Sequence, residues 1–347
     1  MAKKAIKILF YLFYLGVFVI FLLEFTLRAA QGFFFAAPDY LQVDEEFATT
    51  LRPNLHHYVG IGKHRNLLHH NTIGLRGEEV REDKPELRIF MIGDSYTYGW
   101  GTNNSGTMAV QLEESLRKDG IDAEVLNLGV GGYSTTQTYM RFKRFQHLKP
   151  DIVVYMFCEN DPEDNLAFLR GEKVPHSPEH HRNWLRIILR RHSLLYSSIT
   201  RKQLLMGKRV DWDKQEKTSA EVVHSKNKPY KPYKLNSELT FAYTDSIASL
   251  TSTLGAKFYI GFIGHYLNEL IAENEVHFSS KNYYYANQFS EKGYNIIPPP
   301  QGLLKYEGNT KILRGDVPFM GHFNSEGYQL WSNSIYQEIK PVVDGIQ

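Results

Sequence analysis

Three short blocks and one distant histidine hold the residues that could do chemistry. The blocks are Gly93-Asp94-Ser95-Tyr96, Asn127-Leu128-Gly129-Val130-Gly131-Gly132 and Glu159-Asn160-Asp161; the histidine, His322, stands in Gly321-His322-Phe323-Asn324-Ser325-Glu326-Gly327 near the end of the chain. A serine hydroxyl is a weak nucleophile at its ordinary pKa, so it needs a base beside it and donors for the oxyanion it creates. Ser95, on a tight turn with a glycine two residues before it, can present its Oγ and its own backbone NH. Gly132 lacks Cβ and can offer a second NH at close approach, and the Asn160 side-chain amide can supply a third. Losing one such donor costs about 10² to 10³ in turnover. His322 is the candidate base, and acyl transfer through an acyl-enzyme is the chemistry this set would support. Of the neighbours, Gly129 and Gly131 read as turn formers, Asn127 as a turn cap, and Asp94 and Asp161 as loop braces.

The elements that must position these residues follow a repeating cycle. Ile89 to Ile92 is a continuous apolar run ended by Gly93, the pattern of a strand buried on both faces. Met108, Leu112 and Leu116 then recur at helical spacing, Glu113 and Arg117 form an i,i+4 pair, and Gly120 marks a stop. Val125 to Leu128 predicts a second strand, Thr135 to Leu148 a helix and Ile152 to Phe157 a third strand. A helix over Ser237 to Leu254, a strand over Phe258 to Ile263 and a closing helix over Ser325 to Ile339 continue the alternation. Repeated βαβ units dictate an α/β fold: three α/β/α layers around a mainly parallel, doubly wound, flavodoxin-like sheet. Ligands of such sheets bind beyond the carboxyl ends of the strands, and all three blocks fall there.

The amino terminus predicts a membrane element. Ile8 to Leu27 is largely apolar, long enough as a helix to cross a hydrocarbon core of about 30 Å. Lys3, Lys4 and Lys7 precede it, which puts residues 1–7 in the cytoplasm and the remainder outside it, anchored in the inner membrane of the cell. A cleaved signal peptide is the rival, although the apolar stretch is long for one and no clean small-x-small site follows. Glu24 and Arg28, four apart, can pair with each other or with a partner helix in the membrane. Residues 28–87 read as a leader and irregular cover with short strands, and 88–345 as the main domain. A polar insertion at 162–236 lies over the sheet edge, where Pro162 opens the change in composition. A net charge of +2 over 347 residues, with only local clusters such as Arg186, Arg190 and Arg191, gives no basic face for nucleic acid. Cys158 is the single cysteine, which excludes an internal disulfide. The pairs His56-His57, His69-His70 and His180-His181 lack metal-ligand spacing, so neither a metal nor another cofactor is expected. Pro298 to Pro300 reads as a stiff loop, and Tyr283, Tyr284 and Tyr285 as either a sugar-stacking surface or core.

In their order, these blocks resemble those of the SGNH, or GDSL-like, hydrolase and esterase superfamily, across most of the chain. The resemblance implies Ser95 as nucleophile, Ser95, Gly132 and Asn160 around the oxyanion, and His322 as base. Arg52-Pro53-Asn54 and Asn71-Thr72-Ile73-Gly74-Leu75-Arg76-Gly77 further resemble a bacterial membrane-anchored branch linked with extracytoplasmic glycan modification. Two departures stand out. Cys158 occupies a position usually held by glycine, and Phe319 and Met320 stand where the family places an aspartate before its histidine. Asp316 could substitute if its loop folds back, or a backbone carbonyl could orient the ring and leave a Ser-His dyad. Replacing a triad carboxylate can cost around 10⁴ in rate, so low to moderate turnover is expected. The implied substrates are acyl esters, O-acetyl among them, of cell-envelope glycan or lipid-linked sugars. Two alternatives remain: an O-acyltransferase of the same fold, and an inert subunit that binds a membrane-protein partner.

Overall fold

The computed structural model describes residues 2–29, 40–61, 64–171, 189, 193, 195–196, 199, 233–264, 271–272, 275–306, 313 and 322–345. Helix α1 (Ala2–Ala29) is followed by two antiparallel hairpins, β1 (Leu41–Asp44) with β2 (Ala48–Leu51) and β3 (Leu55–Ile61) with β4 (His64–His70). The main domain runs β5 (Leu87–Gly93), α2 (Ser95–Tyr98), α3 (Met108–Lys118), β6 (Ala123–Asn127), α4 (Thr135–Phe145), β7 (Ile152–Cys158) and α5 (Asp161–Leu169). After the insertion come α6 (Lys234–Thr253), β8 (Lys257–Ile263), a small ribbon of β9 (Ile271–Ala272) and β10 (Glu275–Val276), α7 (Ser280–Glu291), β11 (Asn295–Ile297) and α8 (Ser325–Val343).

Five strands form a parallel sheet in the order β11-β8-β7-β5-β6. The first parallel strand therefore lies between the second and the third, the doubly wound order expected of the fold, and the direction of winding reverses beside β5. The uniform apolar run of β5 has a physical reason in its burial on both faces. Leu87, Ile89 and Met91 pack against α3 and α8, while Phe90 and Ile92 pack against the layer holding Phe142, Ile247 and Phe289. Strand β7 divides the same way, with Val154 and Met156 on one side and Val153, Tyr155 and Phe157 on the other. Each such side chain contributes about 1.5–3 kcal/mol of burial.

The segment expected to leave the layers at residue 162 does not do so there. Pro162 occupies the first turn of α5, where a proline costs no hydrogen bond, and the helix runs to Leu169 with Asn165 fully buried. At the other end, α6 begins at Lys234, before residue 236. Residues 172–188 and 200–232 lie outside the described part, and with them Arg186, His180 and His181, as do Arg190 and Arg191.

Within α1, Lys3–Leu27 is long and apolar enough to cross a membrane, with none of its apolar window buried in the protein; a signal sequence would have the same features. The Glu24 carboxylate accepts hydrogen bonds from Ser193 Oγ (2.9 Å) and Leu195 N (3.0 Å), while the Arg28 side chain lies outside the described part. Position 24 is thus tied to the inserted segment as well as placed to pair along its own helix.

The hairpins hold the cover to the main domain through buried polar contacts. His70 is buried between them: its Nδ1 lies 2.8 Å from the Arg52 carbonyl, which can only accept, so Nδ1 carries the proton and Nε2 accepts from the Tyr98 hydroxyl at 2.8 Å. Burial holds the ring neutral, with its pKa pulled down to about 3 against the opposing pull of the Arg52 carbonyl. On unfolding, the ring takes up a proton below about pH 6.5, so the unfolded chain binds more protons and stability falls as pH drops from about 6.5 towards 3. One such group contributes a slope of up to about 1.4 kcal/mol per pH unit. Urea unfolding at pH 7 and pH 5 should show a steeper loss in the wild type than in His70→Gln; equal slopes would acquit His70.

Candidate active site

Strand β5 ends at Gly93 and the chain turns at once into α2, whose first residue is Ser95. Asp94 caps this short helix, its Oδ1 accepting from Tyr96 N at 2.9 Å, and its Oδ2 lies 3.3 Å from Ser95 Oγ. On the far side of the sheet's carboxyl rim, the loop before α8 places His322 Nε2 2.7 Å from Ser95 Oγ. The two residues are 227 positions apart in sequence. Both are half-buried, so the pair opens onto solvent while its supports do not.

The imidazole is fixed by packing. Tyr96, almost fully buried, lays its ring against it with centroids 4.4 Å apart, and the adjacent Phe323 packs on Tyr96 from within the core. Asn324 caps α8 by accepting from Gly327 N at 2.9 Å. Gln111 on α3 donates to the Ser325 carbonyl (3.1 Å) and hydroxyl (2.9 Å), and the Tyr328 hydroxyl donates to the Trp100 carbonyl at 2.8 Å. Asp316, the displaced acid considered above, lies outside the described residues, with Phe319 and Met320.

The second block acts through backbone proximity. Asn127 donates to the Thr97 carbonyl (2.9 Å) and accepts from Gly129 N (3.0 Å), tying the end of β6 to α2. A Cβ at Gly129 would lie 2.2 Å from Tyr98 N, so this glycine is required by the close approach of the loop to the helix that begins at Ser95. Gly132 is exposed, at φ +81°, in the stretch joining that loop to α4. In the third block, Asn160 precedes α5 and donates from its amide to Asp164 Oδ2 at 2.5 Å, keeping a second N–H.

Beneath the rim two further carboxyl groups, Asp161 and Glu159, are buried besides that of Asp94. Asp161 accepts from the Tyr155 hydroxyl (2.6 Å) and from Cys158 N (3.2 Å), bracing the turn that carries Asn160. Burial, and then the nearby Asp94 charge, push the Asp161 carboxyl well above the usual carboxylate range. The same burial pushes the Cys158 thiol well above its ordinary value, so it is a packing group and not a competing nucleophile. Glu159 is held by the Ser279 hydroxyl.

Arg76 and Arg141, both buried, were not singled out by the sequence as site supports. Arg76 donates through Nη1 to the Tyr98 (2.9 Å) and Gly99 (2.6 Å) carbonyls, through Nη2 to Thr102 O (2.7 Å), and through Nε to Asn104 Oδ1 (3.0 Å). Arg141 joins Leu128 O, Thr50 Oγ1 and Gly74 O, so one guanidinium links the rim loop to both parts of the cover. The signal for Arg76 was its place in the Asn71 to Gly77 block; Arg141 carried none beyond its helical position.

The remaining candidate groups separate from the site. His56 and His69 face each other across β3 and β4 with ring centroids 5.3 Å apart, and among the described residues no group of three His, Cys, Asp or Glu could hold a metal ion. Of the tyrosine trio, Tyr285 is buried against Phe157 and Tyr283 is exposed.

Residues 91–259 match the GDSL-like Lipase/Acylhydrolase family. Among solved structures the chain is similar to a psychrotrophic esterase from a Pseudoalteromonas species, at 13% identity over 74% of this chain and 98% of that one, with a TM-score of 0.41. It is similar to an acetylxylan esterase from Geobacillus stearothermophilus at 14% identity over 75% and 96%, with a TM-score of 0.43. A GDSL-like lipase from Bacteroides thetaiotaomicron shares 14% identity over 76% and 93%, with a TM-score of 0.36. A comparison with curated proteins found no match.

Proposed function

We propose, for a chain whose residues 91–259 match the GDSL-like lipase/acylhydrolase family, that the main domain is a serine esterase acting through Ser95 and His322. The observation that carries this reading is the 2.7 Å separation of Ser95 Oγ and His322 Nε2. That distance lies within the reach a base needs to take a proton from its nucleophile. As Oγ bonds to the acyl carbon, its proton passes to Nε2 and the carbonyl oxygen gains charge. The NH groups of Ser95 and Gly132 and the Asn160 amide receive that charge. Collapse of the intermediate breaks the ester bond, and His322 returns the proton to the leaving alcohol. Water, deprotonated by the same ring, then attacks the acyl-enzyme and frees the acid. Asp316 or a backbone carbonyl orients the far side of the ring. No cofactor or metal takes part in this sequence of steps.

The proposal extends to place and substrate. Helix α1 anchors the protein in the inner membrane, with the three lysines before its apolar stretch cytoplasmic and the main domain periplasmic or extracellular. A site tethered there favours acyl esters, O-acetyl included, of envelope glycan or lipid-linked sugars. The full chain in detergent, given an O-acetylated oligosaccharide, should release acetate detectable by NMR, and Ser95→Ala should not. Movement of acetyl to an added glycan alcohol without free acetate would identify a transferase instead. An unchanged substrate, with a known esterase active alongside, would overturn the esterase reading.

A further inference from the structure

Tyr40 enters the site from outside the main domain. It immediately precedes β1, and its carbonyl accepts from Arg52 N at 2.9 Å, which fixes its backbone to the start of the second hairpin. The β1–β2 hairpin is itself held on α4. Gln137 Nε2 donates to Phe47 O (2.8 Å), the Tyr133 hydroxyl donates to Thr49 O (2.7 Å), and Arg144 pairs with Asp44 at 2.7 Å. The Tyr40 ring is clamped by aromatic neighbours: Trp100 stacked at 4.8 Å, Tyr98 at 5.5 Å and His70 edge-on at 6.5 Å. A ring held on three sides delivers its hydroxyl to one place.

That place is the rim loop. A Cβ built on Gly131 would sit 2.6 Å from the Tyr40 oxygen and 3.8 Å from Ser95 Cβ, so the phenol and the nucleophile approach the same glycine, next to Gly132. Among the described residues the Tyr40 hydroxyl makes no hydrogen bond. An ordered, half-buried phenol without a partner, beside a nucleophile, is a donor waiting for an acceptor. Burial raises its pKa to about 12, so it stays protonated wherever His322 can act as a base.

Resting on the esterase reading above, we propose that Tyr40 is a further catalytic residue, its hydroxyl donating to the ester oxygen that becomes negative as Ser95 attacks. The glycine at 131 is then explained: any side chain there would displace the phenol.

Tyr40→Phe keeps the ring and its stacking and removes only the donor. Its kcat on a simple acetyl ester should fall about 10²-fold with KM within about threefold, and phosphonylation of Ser95 by a fluorophosphonate should slow in parallel. The thermal midpoint should stay near the wild-type value, and Tyr40→Ala should add a loss of stability that Tyr40→Phe lacks. Unchanged kcat and phosphonylation in Tyr40→Phe, with an active wild type, overturns the role of Tyr40 and leaves the esterase reading standing. A rise in KM alone would also overturn it, because it would mark a group that binds substrate and transition state equally. A wild type inert to both ester and fluorophosphonate overturns the esterase reading, and this proposal with it.

Discussion

Ser95→Ala should lower ester turnover by a factor on the order of 10⁴ to 10⁶ while leaving the fold intact. Ser95 is half-buried and its hydroxyl contacts Asp94 and His322, so its removal should change stability by only about 0.5 kcal/mol. His322→Ala should produce a loss of similar size, since an alcohol without a base at neutral pH attacks esters poorly. Combining the two changes should cost little more than either alone, because the hydroxyl and the imidazole act as one unit. The residual rate then measures what the oxyanion donors achieve unaided. Kinetics of the three variants on one activated ester would show this, and additive losses would mean that serine and histidine work separately.

The second large effect is expected at a residue that touches no reacting atom. Arg76→Met should destabilise the domain by about 3 kcal/mol or more and lower kcat at least tenfold. Arg76 is 3% exposed, and its guanidinium donates to the backbone carbonyls of Tyr98, which ends α2, and of Gly99 and Thr102 in the turn that follows. Removing the donor leaves the Gly99 and Thr102 carbonyls without it, each costing about 1–3 kcal/mol where water cannot replace it, while the Tyr98 carbonyl keeps a longer bond from Asn127 Nδ2 at 3.3 Å. The turn they belong to also carries Trp100, which stacks on Tyr40 and accepts from Tyr328. Arg76→Lys should rescue only part of the loss, because an ammonium cannot reproduce a planar fork. Urea unfolding and kcat measured on both variants check this; a change below about 1 kcal/mol in Arg76→Met would show that the turn holds itself.

The sheet was legible in the sequence where burial on two faces forced uninterrupted apolar runs, as in Ile89 to Ile92 and Ile152 to Phe157. Helix ends were legible where a stop residue marked them, as Gly120 does after α3. The later elements α7 and β11 were not legible for the opposite reason. Ser280–Glu291 mixes polar residues with tyrosines on a weak period, and a three-residue edge strand leaves no pattern. The change in composition at Pro162 does not mark a break in structure, because a proline in the first turn of a helix costs no hydrogen bond. The same division runs through the site. Ser95, Gly132, Asn160 and His322 could be singled out as candidates because each follows or precedes a recognisable element. Tyr40, His70 and Arg141 meet the segments around it through contacts between stretches tens of residues apart, and such contacts have no local signature. Gly129 was visible as a glycine, but the reason for it, that an added Cβ would lie 2.2 Å from Tyr98 N, exists only once β6 and α2 are packed together.

The most direct test of the Ser95–His322 pair is mass spectrometry of the folded protein after reaction with a fluorophosphonate. A single adduct on the peptide containing Ser95 is expected, forming at least 10²-fold more slowly in His322→Ala. Absence of that adduct, or its appearance at another residue, in a sample where a known esterase is labelled alongside, would contradict the assignment of Ser95 as the nucleophile and His322 as its base.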